Sequence, residues 1–306
     1  MHEGVRQGSD VLRARLMLVA MCFAWGLTWP AMRVALADFA PFGLRASSTF
    51  IGAAALVVAA ILQGHDIRIR KTIVWAHVVV VSVFNVVAFS VFATFAQLSA
   101  LTSRVAILVY TMPIWASLMA WLFLGERLDA IRAAALFMCC VGMAVLIYPL
   151  ATAGIPGGLL LALGAAVSWA MGTIYMKWAQ IEADPLAIAT WQLILGSAVL
   201  AICVPIFEGS LPLREASAEA LFGMVFSGLF GSGLAYLLWY SVIKLLPAMT
   251  ASLGALSTPV IGVISSTLLL GERPTSSDIV GFVFIFAASV CVLLQPRIVE
   301  RLPPEA

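Results

Sequence analysis

Apolar residues occupy this chain in long blocks separated by short polar breaks. Ten blocks stand out: 16–36, 41–62, 73–96, 104–124, 132–149, 157–177, 185–207, 219–243, 249–270 and 277–295. Each is about 20 residues long, and a helix of that length crosses a hydrocarbon core about 30 Å thick. The breaks carry turn and charge signals, as in QGHDIRIRK at 63–71, ATAGIPGG at 151–158 and EGSLPLRE at 208–215. None is long enough to hold a soluble domain. A backbone in lipid must satisfy its polar groups within its own segment, so the blocks are predicted to be helices. The pattern predicts an all-α polytopic membrane protein with ten transmembrane helices.

The pattern is also written twice. Trp25, Pro41 and Gly52 return 144 residues later as Trp169, Pro185 and Gly196. Pro113 and Leu124-Gly125-Glu126-Arg127 return 146 residues later as Pro259 and Leu270-Gly271-Glu272-Arg273. One small insertion absorbs the difference. The chain therefore reads as a tail (1–15), a five-helix repeat (16–150), a linker (151–156), a second five-helix repeat (157–295) and a tail (296–306). Five is odd, so the second repeat enters the membrane inverted. Inverted repeats mark secondary transporters that rock about a central site.

Lys and Arg orient the chain. With a cytoplasmic N-terminus, the outer side holds only Arg33, Arg45, Arg104, Arg214 and Arg273 of the 17. Both termini are accordingly predicted to be cytoplasmic. Arg13, Arg15 and the small-residue stretch Ala35-Leu36-Ala37 imitate a cleavable signal. The length of the first block and its matching partner at 157–177 favour a retained helix.

Composition sharpens the class. Hydrophobic residues make up 63% of the 306 and charged ones 10%, with a mean hydropathy of +1.07. Soluble domains are about 45–50% apolar and 25% charged, so part of the solvent here is lipid. The five cysteines lie in apolar runs without metal-ligand spacing, and read as small buried hydrophobes. No metal, cofactor or nucleic-acid partner is expected. The partners are the bilayer and a small molecule.

With these motifs the chain resembles the drug/metabolite transporter superfamily, EamA type. Trp25-Gly26 and the two Pro…Leu-Gly-Glu-Arg sets carry the resemblance over nearly the whole length. Within that superfamily it is most similar to the bacterial amino-acid exporters of the YddG kind. The resemblance implies a bacterial inner-membrane carrier that exports amino acids or related metabolites; a monomer is sufficient for the function, and the oligomeric state is left open. It also implies alternating access through a cavity lined by helices 1, 3, 4, 6, 8 and 9. Pro30 has no counterpart in the second half, where Ile174 stands, so the halves are not equivalent.

Candidate cavity residues are Trp25, Trp29, Asn85, Phe89, Tyr110, Pro113, Trp169, Tyr175, Tyr236, Ser257 and Pro259. The rings suit apolar and aromatic side chains. Pro113 and Pro259 are read as lying inside helices, freeing the carbonyls of Val109 and Ala255 for a ligand ammonium or leaving a plain packing kink. Trp239 and Tyr240 read as interface-belt residues. The glycine run Gly228, Gly231 and Gly233 reads as close helix packing or local unwinding. Glu126-Arg127 and Glu272-Arg273 form corners, either helix-capping pins or paired gates. Arg45, five residues into its span, is a membrane-depth charge that snorkels, holds a helix terminus, or holds a substrate carboxylate. His77 reads as structural.

No Asp or Glu lies inside the core of any predicted span; Glu219 and Asp278 stand at the ends of theirs. Facilitated diffusion or exchange is therefore the expected energetics, with a proton-coupled drug or metabolite carrier using Glu126 or Glu272 as the alternative. An intramembrane enzyme would need a nucleophile–base pair, two aspartates or a metal motif at membrane depth. The chain has only His2, His65 and His77, and its aspartates sit at loops or span ends.

Overall fold

The structure, a computed structural model, describes residues 2–99, 108–109, 111–126, 129–151, 157–271 and 276–293. Among these the helices group into ten passes. The first five are α1 (His2–Ala35), α2 (Pro41–Leu62), α3 (Thr72–Ser82, Val83–Ala88 and Phe89–Ser99), α4 (Met112–Leu124) and α5 (Ala130–Ala151). The second five are α6 (Gly157–Trp178), α7 (Pro185–Phe207), α8 (Ala218–Phe226, Ser227–Leu234 and Ala235–Leu245), α9 (Ala248–Gly254 and Ser257–Leu270) and α10 (Ser276–Leu293). Seven are long and apolar enough to cross a membrane, and the remaining three carry shorter apolar stretches.

The packing repeats when five is added to each helix number. α1 packs on α8 and α9, and α6 packs on α3 and α4. α2 leans on the middle of α8, and α7 on the middle of α3. α2 pairs with α7, and α5 with α10, across the relation. The largest helix pairings thus join one repeat to the other.

The middle segments of α3 and α8 are π-helical, Val83–Ala88 and Ser227–Leu234. Their starts are 144 residues apart, the spacing of the repeat. A π turn bonds i to i+5 and widens the helix, leaving carbonyls for other donors. The Phe84 carbonyl accepts the Ser168 hydroxyl at 2.7 Å, and the Asn85 carbonyl accepts the Tyr236 hydroxyl at 3.1 Å. In α8 the Gly231 carbonyl accepts the Trp25 indole N–H at 3.0 Å. The glycine run is therefore both unwound and packed. Gly52 of α2 sits against it: a Cβ there would lie 2.7 Å from the Gly233 nitrogen and 2.8 Å from the Gly228 carbonyl oxygen. Gly196 of α7, its repeat partner, sits in the same way against Val86 of α3.

The repeated Leu-Gly-Glu-Arg has a helix-ending geometry. Gly125 and Gly271 are left-handed, at φ 66° and 70°, directly after α4 and α9. Only glycine adopts that conformation without steric cost, which makes it the usual residue just past a helix end. Glu126 then turns inward. Its carboxylate is buried and accepts the Ala248 N–H at 2.7 Å, at the first residue of α9. The glutamate thus caps a helix of the other repeat. Arg127, Glu272 and Arg273 lie outside the described residues. Replacing Glu126 by alanine strips a buried charge-assisted cap and is expected to cost about 1–3 kcal/mol. The checking measurement is the unfolding midpoint in detergent, with transport per folded molecule kept. Lost transport at an unchanged midpoint would instead make Glu126 a gate.

A second cross-repeat cap had no sequence signal. Both oxygens of Glu208, at the end of α7, accept the N–H groups of Phe42 and Gly43 at 2.6 and 2.7 Å. They close the N-terminus of α2 behind Pro41. Near this end Asp38 accepts the hydroxyl and N–H of Ser217, which caps α8. The Ser217 hydroxyl, followed by its N–H, holds the Asp38 carboxyl below its ordinary range. This contribution is present at neutral pH and is lost as pH falls through that lowered value.

Candidate functional site

A cavity of about 130 Å³ lies between the repeats. That is roughly ten times the space one ordered water needs. Its walls come from α1 to α4 and from α6, α8 and α9. α2 is the addition to the helices expected from sequence, supplying Arg45, Ser48 and Thr49. The lining runs from mid-span toward the end where α1 finishes and α2 begins. Leu18, Met21, Tyr240 and Leu246 are fully buried and pack in one cluster with Trp25, Trp169, Tyr236 and Trp239.

Five rings form the deep wall. Trp25 and Trp169, related by the repeat, meet edge to face at 5.4 Å between centroids. Tyr236 and Trp239 lie 6.3 and 5.8 Å from Trp25, and 5.6 and 6.1 Å from Trp169. Phe89 completes the group at 5.2 Å from Trp169. Such contacts contribute about 0.5–1.5 kcal/mol each beyond area burial and hold the rings in one arrangement. Trp239 and Tyr240 are therefore core residues rather than belt anchors, because α8 turns that face inward.

Beneath the rings lies a buried polar node. The Tyr240 hydroxyl donates to the Gln192 side-chain oxygen at 2.5 Å and accepts from the Asn85 amide at 3.4 Å. The Ser82 hydroxyl donates to the Gln192 carbonyl at 3.0 Å. The node ties α3, α7 and α8 together. Asn85 belongs to it and not to the cavity walls.

Other sequence candidates divide clearly. Trp29, Phe89 and Pro113 line the cavity with Trp25, Trp169 and Tyr236. Tyr175 does not: its hydroxyl pairs with His77 Nδ1 at 2.7 Å and its ring rests on Trp178. Ser257 and Pro259 are buried but outside the walls, and Tyr110 lies outside the described residues. Pro113 and Pro259 break no helix interior. Pro113 is in the first turn of α4, and Pro259 is the third residue of the second segment of α9. A missing N–H costs nothing in a first turn. The Ala255 carbonyl is consequently not free; it accepts the Thr258 N–H at 3.0 Å. Residues such as Ser48, Thr49 and Ser252 were missed because single hydroxyls in apolar runs carry no distinguishing pattern.

Polar capacity in the walls is partly unspent. Ser227 Oγ, Ser252 Oγ and Trp239 Nε1 are buried without hydrogen-bond partners among the described residues. Arg45 is the one charged residue among the described lining residues.

A family model described as the EamA-like transporter family matches residues 12–148 and again 156–294. The chain belongs to this family. Among its relatives, an uncharacterized transporter, YvbV, of Bacillus subtilis is 28% identical over 92% of this chain and 91% of its own. A probable terminal-alkyne amino-acid exporter of Streptantibioticus cattleyicolor is 22% identical over 86% of this chain and 88% of its own. One solved structure superposes with a TM-score of 0.77 at 20% identity, covering 91% of this chain and 96% of that one. It shows the shared fold. Family membership makes this a multi-span membrane transporter of small molecules.

Proposed function

We propose that the chain is a secondary carrier of a bacterial inner membrane. It exports amino acids, aromatic and other apolar ones included, or related small metabolites. Transport proceeds by alternating access through the cavity between the two repeats. The observation that carries this reading is the cavity itself: it is walled by both repeats, lined by rings at its closed end, and crossed by the repeat-related pair Trp25 and Trp169. Symmetric contacts such as those of Gly52 and Gly196 support two exchangeable packings of the halves. The relative named as an amino-acid exporter agrees in substrate class.

The described lining residues include no carboxylate, imidazole or amine. This supports facilitated diffusion or exchange. Proteoliposomes loaded with a labelled amino-acid mixture are expected to release several of them without an imposed pH gradient, at rates nearly constant between about pH 6 and 8. Efflux that appears only with the gradient would require a proton carrier and overturn this energetics. No efflux of any amino acid would overturn the substrate class.

A further inference from the structure

Among the described residues the cavity lining offers a cation and no anion. Arg45 stands on α2, one turn behind the Glu208 cap. Its neighbouring hydroxyls are turned to backbone: Thr49 donates to the Arg45 carbonyl at 2.5 Å and Ser48 to the same oxygen at 3.3 Å. No carboxylate lies within ion-pair distance of the guanidinium among the described residues. Tyr236 and Trp239, from the ring wall, line the same cavity as Arg45. The guanidinium and the ring wall are thus two faces of one space.

Arg45 is half-buried in this wall; a guanidinium partly withdrawn from water without an anion carries a desolvation cost that an incoming anion relieves. Its planar fork fits a carboxylate with two parallel hydrogen bonds. A ligand ammonium meets the opposite situation. It finds ring faces and neutral hydroxyls, but also a like charge nearby with nothing to offset it.

Resting on the proposed carrier function, we infer that this site recognises its substrate by the carboxylate, docked on Arg45, and does not require the ammonium. The substrate class is apolar or aromatic carboxylates, with the α-amino group optional. Amines of the same shape are excluded. Amino acids are then one subset of what the carrier moves.

The test is competition against labelled phenylalanine efflux in proteoliposomes of the intact protein, at neutral pH where carboxylates are ionised. Unlabelled 3-phenylpropionate, which lacks the amino group, is expected to compete within about tenfold of phenylalanine. Phenethylamine, which lacks the carboxylate, is expected not to compete at equal concentration. Arg45→Gln is expected to lower phenylalanine efflux about tenfold or more, and Arg45→Lys to restore part of it, in preparations that elute as one symmetric peak. Phenethylamine competing as well as phenylpropionate, or Arg45→Gln transporting like the parent, would overturn the inference and leave the carrier function standing. The wild-type competition decides even if the variants do not fold. Absence of efflux of phenylalanine and of every other amino acid from the parent would overturn both.

Discussion

Trp169→Ala is expected to lower amino-acid efflux about tenfold or more while the protein still inserts in the membrane. Trp169 touches four other rings, and deleting it leaves Trp25, Phe89, Tyr236 and Trp239 without their common neighbour. The cavity then widens where an apolar side chain would be held. A tenfold loss corresponds to about 1.4 kcal/mol of substrate binding, within reach of one or two ring contacts. Part of the effect is structural, since truncating a buried tryptophan costs about 3–5 kcal/mol in a closed core. Trp169→Phe separates the two contributions, because it keeps a ring at the centre and is expected to recover most of the efflux. Efflux is measured per molecule of folded carrier, quantified by size exclusion in detergent. Unchanged efflux in Trp169→Ala would remove the substrate from this wall.

The largest effect on stability is expected at the glycine crossings. At Gly52 an added Cβ meets backbone atoms of Gly233 and Gly228, which cannot rotate away as a side-chain tip can. Gly52→Val therefore has to separate α2 from the π segment of α8, at a cost of about 3 kcal/mol or more. Gly196→Val, whose added Cβ falls on the Cβ and Cγ1 of Val86, is expected to lower the midpoint as well. Thermal unfolding in detergent checks both. Ala198→Val, on the exposed face of α7, is the control expected to leave the midpoint unchanged. A Gly52→Val midpoint equal to that of the control would show that the crossing is not close-packed.

Much of this architecture is legible in the chain. Ten apolar blocks specify ten helices because an unpaired backbone is intolerable in lipid. The duplication specifies an inverted pair because each half has an odd number of spans. The glycine of Leu-Gly-Glu-Arg announces a helix end, since only glycine takes the left-handed conformation freely. Trp25 and Trp169 stand out by their matched spacing, and the structure brings them into contact.

Tertiary packing decided the rest. In a soluble helix, polarity marks the outward face; in lipid both faces are apolar, so the pattern cannot say which way a residue points. Tyr175 and Tyr236 look alike in sequence, yet one pairs with His77 and the other walls the cavity. The prolines looked like kinks because a continuous apolar run conceals a helix start at Met112 or Ser257. Glu126 and Glu208 find their partners 122 and 166 residues away, on helices of the other repeat. The position of Arg45 in the cavity wall depends on the same long-range fact. α2 must lean on α8 before its charge can face the rings, and no local pattern records that crossing.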